Sequence, residues 1–419
     1  MSRPGSARLA ALAAGLACVG VGAGAGCGQA GAGPGGGGGQ GEPVTHPTRS
    51  DGAQARATGP RAVVDRPVEW LKGSTHVHTI QSGDSTMAVD AVVRWYGDHG
   101  YDFIVITDHN RVTEFDSTDR PLVLRGVEFT HNPASCDPPP PEPEGRCRIH
   151  LNGIGVTAPA PPSMPNVPAA ASVDLLDVGA RPQVIEWKNH SSNARVDMYQ
   201  AGIDKIREMG GIAQINHPSW HWGVSGELLA ELGRRGAVLV EIANMGFARW
   251  NLGTPAHPSA EALWDVALGQ GVLLYGVASD DAHQYLEGEI AERNAAGKPV
   301  YQAGTGWVMV HAARSPDAIR RALERGDFYA TTGVVLERVE LVDGALAIDV
   351  AAASTGAHEI SFVGQGGAVL ARSTGTSARY PLERARSGYV RAVITRDDGA
   401  RAWVQPVWVP RADPPPAAP

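Results

Sequence analysis

The chain is short of aromatic residues, cysteines and runs of basic residues. Aromatic side chains make up 6% of the 419 residues, and four cysteines are present, none of them in Cys-x-x-Cys spacing. The missing spacing argues against a zinc knuckle. Lysine and arginine number 36 against 44 acidic residues, and the formal charge is −8. Because binding to a phosphate backbone needs a basic stripe, the sequence predicts no nucleic-acid partner.

A long, strongly apolar run is also missing from the N-terminal region. Residues 1–26 contain Arg3 and Arg8 and then an apolar stretch from Leu9 to about Ala25 that is rich in glycine and alanine. This layout is typical of a secretory signal peptide. The stretch falls short of the roughly 20 strongly apolar residues of a membrane span, so cleavage is favoured over a transmembrane anchor. The sequence therefore predicts an exported protein.

The segment before Cys27 resembles a bacterial lipobox, with small residues at Ala25 and Gly26 and with Gly24 where leucine is usual. Lipidation of Cys27 would give a cell-envelope lipoprotein, and simple cleavage would give a secreted or periplasmic protein. Membrane contact is expected only through this lipid anchor. Residues 27–66 are glycine-rich and have no hydrophobic period, so they are predicted to form a disordered tether, and residues 411–419 a disordered tail.

Export changes the interpretation of the two later cysteines. Cys136 and Cys147 bracket a proline-rich segment whose ends can lie close together. A disulfide between them is favoured in an oxidising compartment. Two unpaired thiols are the alternative.

Short β-rich runs alternate with helical stretches over residues 67–335. These runs include seven strand candidates. The first ends near His76 to His78, and the other six cover Phe103 to Ile106, Leu122 to Val127, Ile149 to Val156, Ile212 to Asn216, Val238 to Ile242 and Val272 to Ala278. This alternation predicts parallel strands with helices packed outside them. We therefore expect an α/β fold with a distorted, seven-stranded β/α (TIM-like) barrel. Residues 336–410 change to alternating strands and predict a small C-terminal β-sandwich.

Histidines and carboxylates recur at the predicted strand ends, where side chains of a β/α barrel converge. His76 and His78 lie two residues apart in an extended segment and so point to the same side. Each histidine taken alone is more often an ordinary core or surface residue. Together, nine such residues favour a metal site: His76, His78, Asp84, His109, Glu128, His150, His217, Asp281 and His283. Imidazole and carboxylate groups suit Zn, Mn or Fe, and Glu241 is interpreted as a supporting or structural residue.

Five motifs stand in one order along the chain, and this order resembles the PHP superfamily, named for polymerase and histidinol phosphatase. The motifs are Thr75-His76-Val77-His78-Thr79, Thr107-Asp108-His109-Asn110, Gly126-Val127-Glu128, Asn216-His217-Pro218 and Ser279-Asp280-Asp281-Ala282-His283. The resemblance covers roughly residues 68 to 335. Residues 304–333 are similar to an exported branch that includes carbaryl-hydrolase-like proteins.

The resemblance implies a cluster of two to three divalent transition metals. The first ion would be held by His76, His78, Glu128 and Asp281, the second by His150 and His217 with Glu128 bridging, and the third by Asp84, His109 and His283. The third site is the least typical, because some members have histidine where Asp84 stands. By its place in Asp-x-His, Asp281 and not Asp280 is the ligand. Asp108, Arg111 and Asp281 are the predicted catalytic residues. Asp108 would orient a ligand imidazole, and Arg111 would hold an anionic substrate group, unless it is a solvated surface charge.

The implied reaction is hydrolysis of a small molecule by a metal-bound hydroxide. A phosphoesterase acting on an anionic substrate is favoured. The similarity of residues 304–333 supports a carbamate, amide or ester hydrolase as the alternative, and a non-catalytic surface binding module is the third interpretation. For a neutral substrate, Trp220 and Trp222 are candidates for an apolar wall, with simple packing as their alternative. His221, like Arg111, is either an anion ligand or an ordinary surface residue.

Overall fold

The computed structural model describes residues 67–116, 119–157, 185–385 and 388–409. The predicted signal peptide, the tether with Cys27, and the tail over residues 411–419 lie outside these ranges. None of the helices formed by the described residues combines the length and the apolar character that crossing a bilayer requires.

The first part of the fold is a run of seven strands that neighbour one another in chain order. They are β1 (Glu69–Val77), β2 (Phe103–Ile106), β3 (Leu122–His131), β4 (Ile149–Ile154), β5 (Ile212–Ile215), β6 (Ala237–Asn244) and β7 (Tyr275–Ser279). The intervening helices are α1 (Val89–Asp98), α2 (Arg195–Glu208), α3 (Gly226–Arg234), α4 (Ala248–Asn251) and α5 (Ala260–Gly269). All seven strands overlap the segments that the sequence predicts, with ends that differ by up to four residues. The serines before α3 and α5, Ser225 and Ser259, cap their helices by accepting a backbone N–H bond.

The direction of β4 differs from the prediction. β1, β2 and β3 pair in parallel, as do β5, β6 and β7, whereas β4 is antiparallel to both β3 and β5. A parallel neighbour requires a crossover, usually a helix, and residues 132–148 form none. They return the chain directly to the same edge of the sheet. His150, the second residue of β4, therefore lies at the edge where the neighbouring parallel strands end.

The two ends of this strand series meet at their carboxyl edges. Val77, the last residue of β1, forms an isolated parallel bridge with Ala282, which follows β7. The N–H of His78 donates to the carbonyl of Ala282 at 3.0 Å. The histidines of the first motif and the acidic segment of the last are thereby held side by side.

The C-terminal residues extend the same sheet. They form α6 (Glu287–Ala295), β8 (Trp307–Ala312), α7 (Pro316–Arg325), β9 (Phe328–Thr331), β10 (Leu336–Val342), β11 (Ala345–Val350), β12 (His358–Gly364), β13 (Ala368–Thr374), β14 (Ser377–Pro381), β15 (Gly388–Arg396) and β16 (Arg401–Val409). The large sheet has 13 strands in the order β13-β12-β15-β16-β9-β8-β1-β2-β3-β4-β5-β6-β7, and β10, β11 and β14 form a second sheet. The sequence did not predict α6, β8, β9, β13 or β14 as elements.

The C-terminal strands form two layers around one hydrophobic cluster. Ile348 of β11 lies in this cluster with Phe362 of β12 and Val390 of β15. One layer continues into the first part of the fold, because β9 pairs with both β8 and β16. The side-chain amide of Gln405 in β16 also bonds the backbone N–H and carbonyl of Gly276 in β7, at 2.9 and 2.8 Å. A small C-terminal β-sandwich was expected, and in the structure one of the two C-terminal layers is continuous with the main sheet.

Cys136 and Cys147 form a disulfide with a Cα–Cα distance of 5.9 Å, as the sequence favours. The disulfide closes the proline-rich loop between β3 and β4. Arg195, the first residue of α2, ties this loop down: its N–H donates to the carbonyl of Asp137 at 2.8 Å and its Nε to that of Pro138 at 2.6 Å.

Candidate metal centre

The predicted ligands converge at the carboxyl edge of the first part of the sheet. Eight of the nine are buried, and Asp84 is partly exposed. Eight of the nine, all except Asp281, fall into three groups: His78, Asp84, His109 and His283; His76, His78 and Glu128; and Glu128, His150 and His217. Within each group the candidate ligand atoms lie within 4.8 Å of one another. These groups have the composition of metal-binding clusters.

Glu128 belongs to two of the groups, and its two oxygen atoms face different histidines. Oε2 lies 3.6 Å from Nε2 of His76 and 3.4 Å from Nε2 of His78. Oε1 lies 3.0 Å from Nδ1 of His150 and 3.7 Å from Nε2 of His217. Such a carboxylate has the geometry of a bridge between two cation positions.

Asp281 closes the group formed by the first motif. Its Oδ1 atom lies 3.2 Å from Nε2 of His76 and 3.2 Å from Nε2 of His78. Donor atoms about 2.1 Å from one shared ion stand roughly 3.0 to 3.4 Å apart. The spacing of these three side chains therefore fits a single divalent ion among them.

Three buried atoms of this centre have no hydrogen-bond partner among the described residues: Nε2 of His76, Nε2 of His78 and Oδ1 of Asp84. Such atoms are rare in folded proteins, since an unsatisfied buried polar group is destabilising. Charge points the same way. Although burial lowers the pKa of His76, the nearby carboxylates of Asp281, Glu241 and Glu128 raise it well above its usual value. Divalent cations would satisfy these atoms and balance the buried negative charge.

The third group gathers around Asp84. Its Oδ2 atom lies 2.9 Å from Nε2 of His109 and 3.3 Å from Nε2 of His283. The other ring nitrogen of His109 lies 2.7 Å from Oε2 of Glu128, so this imidazole connects the third group to the bridging carboxylate. The structure thus brings Asp84 to the position that the sequence proposes for it.

Glu241 lies behind the ligands and is fully buried. Its Oε1 atom lies 2.7 Å from Nδ1 of His76 and accepts a bond from the hydroxyl of Ser279 at 2.5 Å. Its Oε2 atom accepts from the backbone N–H of His217 at 2.6 Å and from the amide of Asn244 at 2.8 Å. With both oxygens engaged in these contacts, Glu241 holds the ring of His76 and the backbone of His217 in place, in agreement with the supporting role predicted for it.

Asp108 was expected to orient a ligand imidazole, and its contacts differ from that expectation. Its carboxylate accepts bonds from the N–H and hydroxyl of Thr79 at 2.7 and 2.8 Å, and from the hydroxyl of Thr113. It therefore fixes the segment after β1 rather than a ring. Among the described residues, Glu241 contacts the outer nitrogen of His76, and the hydroxyl of Ser82 lies 2.8 Å from Nδ1 of His78.

Arg111 is buried, which excludes the alternative of a solvated surface charge. Burial raises the pKa of Asp108, and the positive charge of Arg111 opposes that shift. The buried guanidinium of Arg111 is therefore part of the electrostatic surroundings of the Asp108 carboxylate.

The two adjacent aspartates of the last motif separate as Asp-x-His spacing predicts. Asp280 accepts bonds from the hydroxyl of Ser74 at 2.9 Å and the N–H of Gly304 at 2.6 Å, and burial raises its pKa to about 6. Asp281 faces the histidines. Its φ of 50° and the φ of 25° at His217 are left-handed values for residues with side chains. Strain of this kind persists where surrounding structure over-determines it, commonly at functional sites.

The two tryptophans after His217 have different surroundings. Trp220 stands edge-on to the rings of His150 and His217, with centroids 5.4 and 5.1 Å apart. Trp222 stacks on His257 at 4.5 Å, in the direction of the proline-rich loop. Only Trp220 is placed to form a wall beside the ligands.

Comparison with known proteins finds no family model and no curated protein that matches this chain.

Proposed function

We propose that the chain is a metal-dependent hydrolase of the PHP type that cleaves small phosphate esters with two to three divalent ions. One observation carries the proposal. Glu128 directs one oxygen to His76 and His78 and the other to His150 and His217, so this buried carboxylate could serve two cation positions at once. Paired ions of this kind serve hydrolytic chemistry at phosphorus and carbonyl centres.

The remaining support for the PHP type is topological. The seven strands follow one another in chain order, and the Val77–Ala282 bridge brings the ends of β1 and β7 together. We infer that they form the distorted barrel expected from the sequence, with β4 reversed. Its carboxyl edge then carries the site, as in other β/α barrels.

When bound, the ions would supply Lewis-acid activation of a water molecule and neutralise charge on the substrate. The protein side chains determine where that chemistry happens. His76, His78, Glu128 and Asp281 would hold the first ion, His150 and His217 the second, and Asp84, His109 and His283 the third. With an ion bound, Glu241 would accept a hydrogen bond from Nδ1–H of His76 and leave the lone pair of Nε2 to the ion.

Substrate charge favours phosphate esters over neutral substrates. A phosphate ester brings negative charge to the site before reaction, so a cluster of cations stabilises its ground state and its transition state. A carbamate or amide arrives neutral and gains charge only during attack. The wall formed by Trp220 and Phe247, whose ring centroids lie 4.6 Å apart beside His217, is the observation that favours the second candidate, a carbamate, amide or ester hydrolase.

A hydrolysis screen of the metal-loaded protein tests the proposal. Phosphate mono- and diesters, aryl carbamates and anilides are offered to the wild type, to Glu128→Gln and to the surface control Glu227→Gln. We expect turnover of phosphate esters by the wild type and the control, loss of turnover in Glu128→Gln, and competitive inhibition by inorganic phosphate.

Three results would contradict parts of the proposal. Turnover of aryl carbamates alone, without inhibition by phosphate, would show that the protein cleaves carbamates and not phosphate esters. The proposed metal centre would be unaffected by that result. Undiminished turnover by the metal-free wild type would remove the mechanism altogether. Metal binding without turnover of any substrate would favour a binding module.

A further inference from the structure

Aromatic rings lead outward from the second group of ligands. Trp220 touches the rings of His150 and His217, and His221 stacks on Trp220 with centroids 5.3 Å apart. His221 in turn lies 5.4 Å from the ring of Trp250. We call Trp220, His221 and Trp250 the aromatic ladder. It provides a surface that begins at the metal centre and continues away from it.

Guanidinium groups flank this ladder. The Cζ atom of Arg148 lies 5.0 Å from the ring centroid of Trp220, and that of Arg249 lies 4.8 Å from the centroid of Trp250. Burial, and then the charges of Arg148 and other nearby arginines including Arg249, lower the pKa of His221 to about 4. Since His221 is then neutral at neutral pH, the positive charge around the ladder belongs to the arginines.

Arg195 is the least expected member of this group, because it is fully buried. Its Nε donates to the carbonyl of Pro138, while Nη1 and Nη2 have no hydrogen-bond partner among the described residues. No described carboxylate forms an ion pair with it, and burial lowers the pKa of its guanidinium. A Cβ atom added at Gly223 would stand 2.9 Å from Nη1 of Arg195. The loop that carries Trp220 and His221 therefore passes directly over the Arg195 guanidinium.

A buried guanidinium without a counter-charge is destabilising unless an anion completes it. Its planar fork matches the oxygens of carboxylate, sulfonate or phosphate groups. Glu142, in the proline-rich loop that Arg195 holds, is engaged by another side chain, with Oε1 2.6 Å from Nε2 of His257.

We propose that Arg195, together with Arg148 and Arg249, binds an oxyanion that the substrate carries away from its scissile bond, with the aromatic ladder beneath the connecting part. The substrate class is thus a hydrolysable ester with a second, remote carboxylate, sulfonate or phosphate group. This role depends on the proposed hydrolase function. The binding of an anion at Arg195, Arg148 and Arg249 does not depend on that function.

The test is therefore a binding experiment on the metal-loaded full chain. Calorimetric titrations with benzoate, benzenesulfonate and neutral benzamide are compared for wild type, Arg249→Gln, Arg148→Gln and Arg195→Met. Arg94→Gln, on the exposed face of α1, is the matched control. We expect both anions to bind the wild type and Arg94→Gln at least about tenfold more tightly than benzamide, as one charge-assisted pair provides.

Arg249→Gln, Arg148→Gln and Arg195→Met should each lose most of the preference for the two anions over benzamide. If Arg195→Met does not fold, Arg249→Gln and Arg148→Gln decide the matter. A preference for one anion alone identifies the type of oxyanion. Equal binding of benzoate and benzamide would overturn the inference. Anion binding that is unchanged in all three arginine variants would also overturn it, because the anion would then be bound at the metal centre. Neither result bears on hydrolysis, which the substrate screen tests.

Discussion

Oε1 of Glu241 lies 2.7 Å from Nδ1 of His76, and the opposite nitrogen of that ring lies 3.2 Å from Oδ1 of Asp281. The ring of His76 is therefore held between the carboxylates of Glu241 and Asp281. Glu241 reaches across from β6 to β1, so two distant parts of the chain fix one imidazole.

Glu241→Gln should weaken metal binding without unfolding the protein. The amide keeps the shape of the side chain but removes the charge that makes the imidazole a better ligand, an effect of about 10- to 100-fold on metal affinity. Competition with a chelator measures this change, with Glu227→Gln as control. An unchanged affinity would reduce Glu241 to a packing residue.

Glu128→Gln and Asp84→Asn should differ in how many ions they lose. Glu128 lies in two ligand groups and touches the third through His109, whereas Asp84 lies in one. Elemental analysis should find two to three ions per wild-type chain, a loss of more than one in Glu128→Gln, and a loss of no more than one in Asp84→Asn. Identical losses in the two variants would contradict a bridging role for Glu128.

Most of the centre could be predicted from the sequence because its ligands follow short apolar strands. His76, His109 and His217 each stand just inside or after a buried strand, and chain order alone brings such ends to one edge. The role of Asp108 was missed because a motif gives the residue and not its partner. Its carboxylate meets Thr79, a contact that only the loop conformation determines.

The reversal of β4 could not be predicted from its own residues, because a buried strand has the same pattern in either direction. The signal lay in the preceding loop, where proline-rich residues between Cys136 and Cys147 leave no room for a crossover helix. Similarly, β8 and β9 were not recognised as strands, because their place in the main sheet depends on pairing with β1 and β16.

Arg391→Met should destabilise the fold strongly. The guanidinium of Arg391 is buried and bonds both oxygens of Asp265 at 2.8 and 2.7 Å, linking β15 to α5. Removing one partner of a buried pair leaves the other uncompensated, which lowers the free energy of unfolding by about 3 to 5 kcal/mol. Denaturant titration measures the loss. The exposed pair of Arg325 with Asp327 is the control, and Arg325→Gln should change stability by less than about 1 kcal/mol. A similarly small change in the free energy of unfolding of Arg391→Met would show that the buried Arg391–Asp265 pair does not stabilise the fold.

Cys27→Ser tests the expected lipid anchor. If Cys27 is lipidated after export, the wild type incorporates labelled fatty acid and fractionates with membranes, while the variant is soluble. The same partitioning of both proteins would favour simple secretion.

β9 pairs with β16, and the side chain of Gln405 is hydrogen-bonded to the backbone of Gly276. The C-terminal strands are therefore an integral part of the fold. A chain shortened at residue 335 would leave β9 with a row of unpaired backbone groups, a template for aggregation. It would also remove the amide that completes the backbone bonding of β7, the strand that leads into Asp281. Expression of the chain shortened at residue 335 should therefore yield insoluble protein, and domain exchange at this boundary would have to supply a new partner for β9.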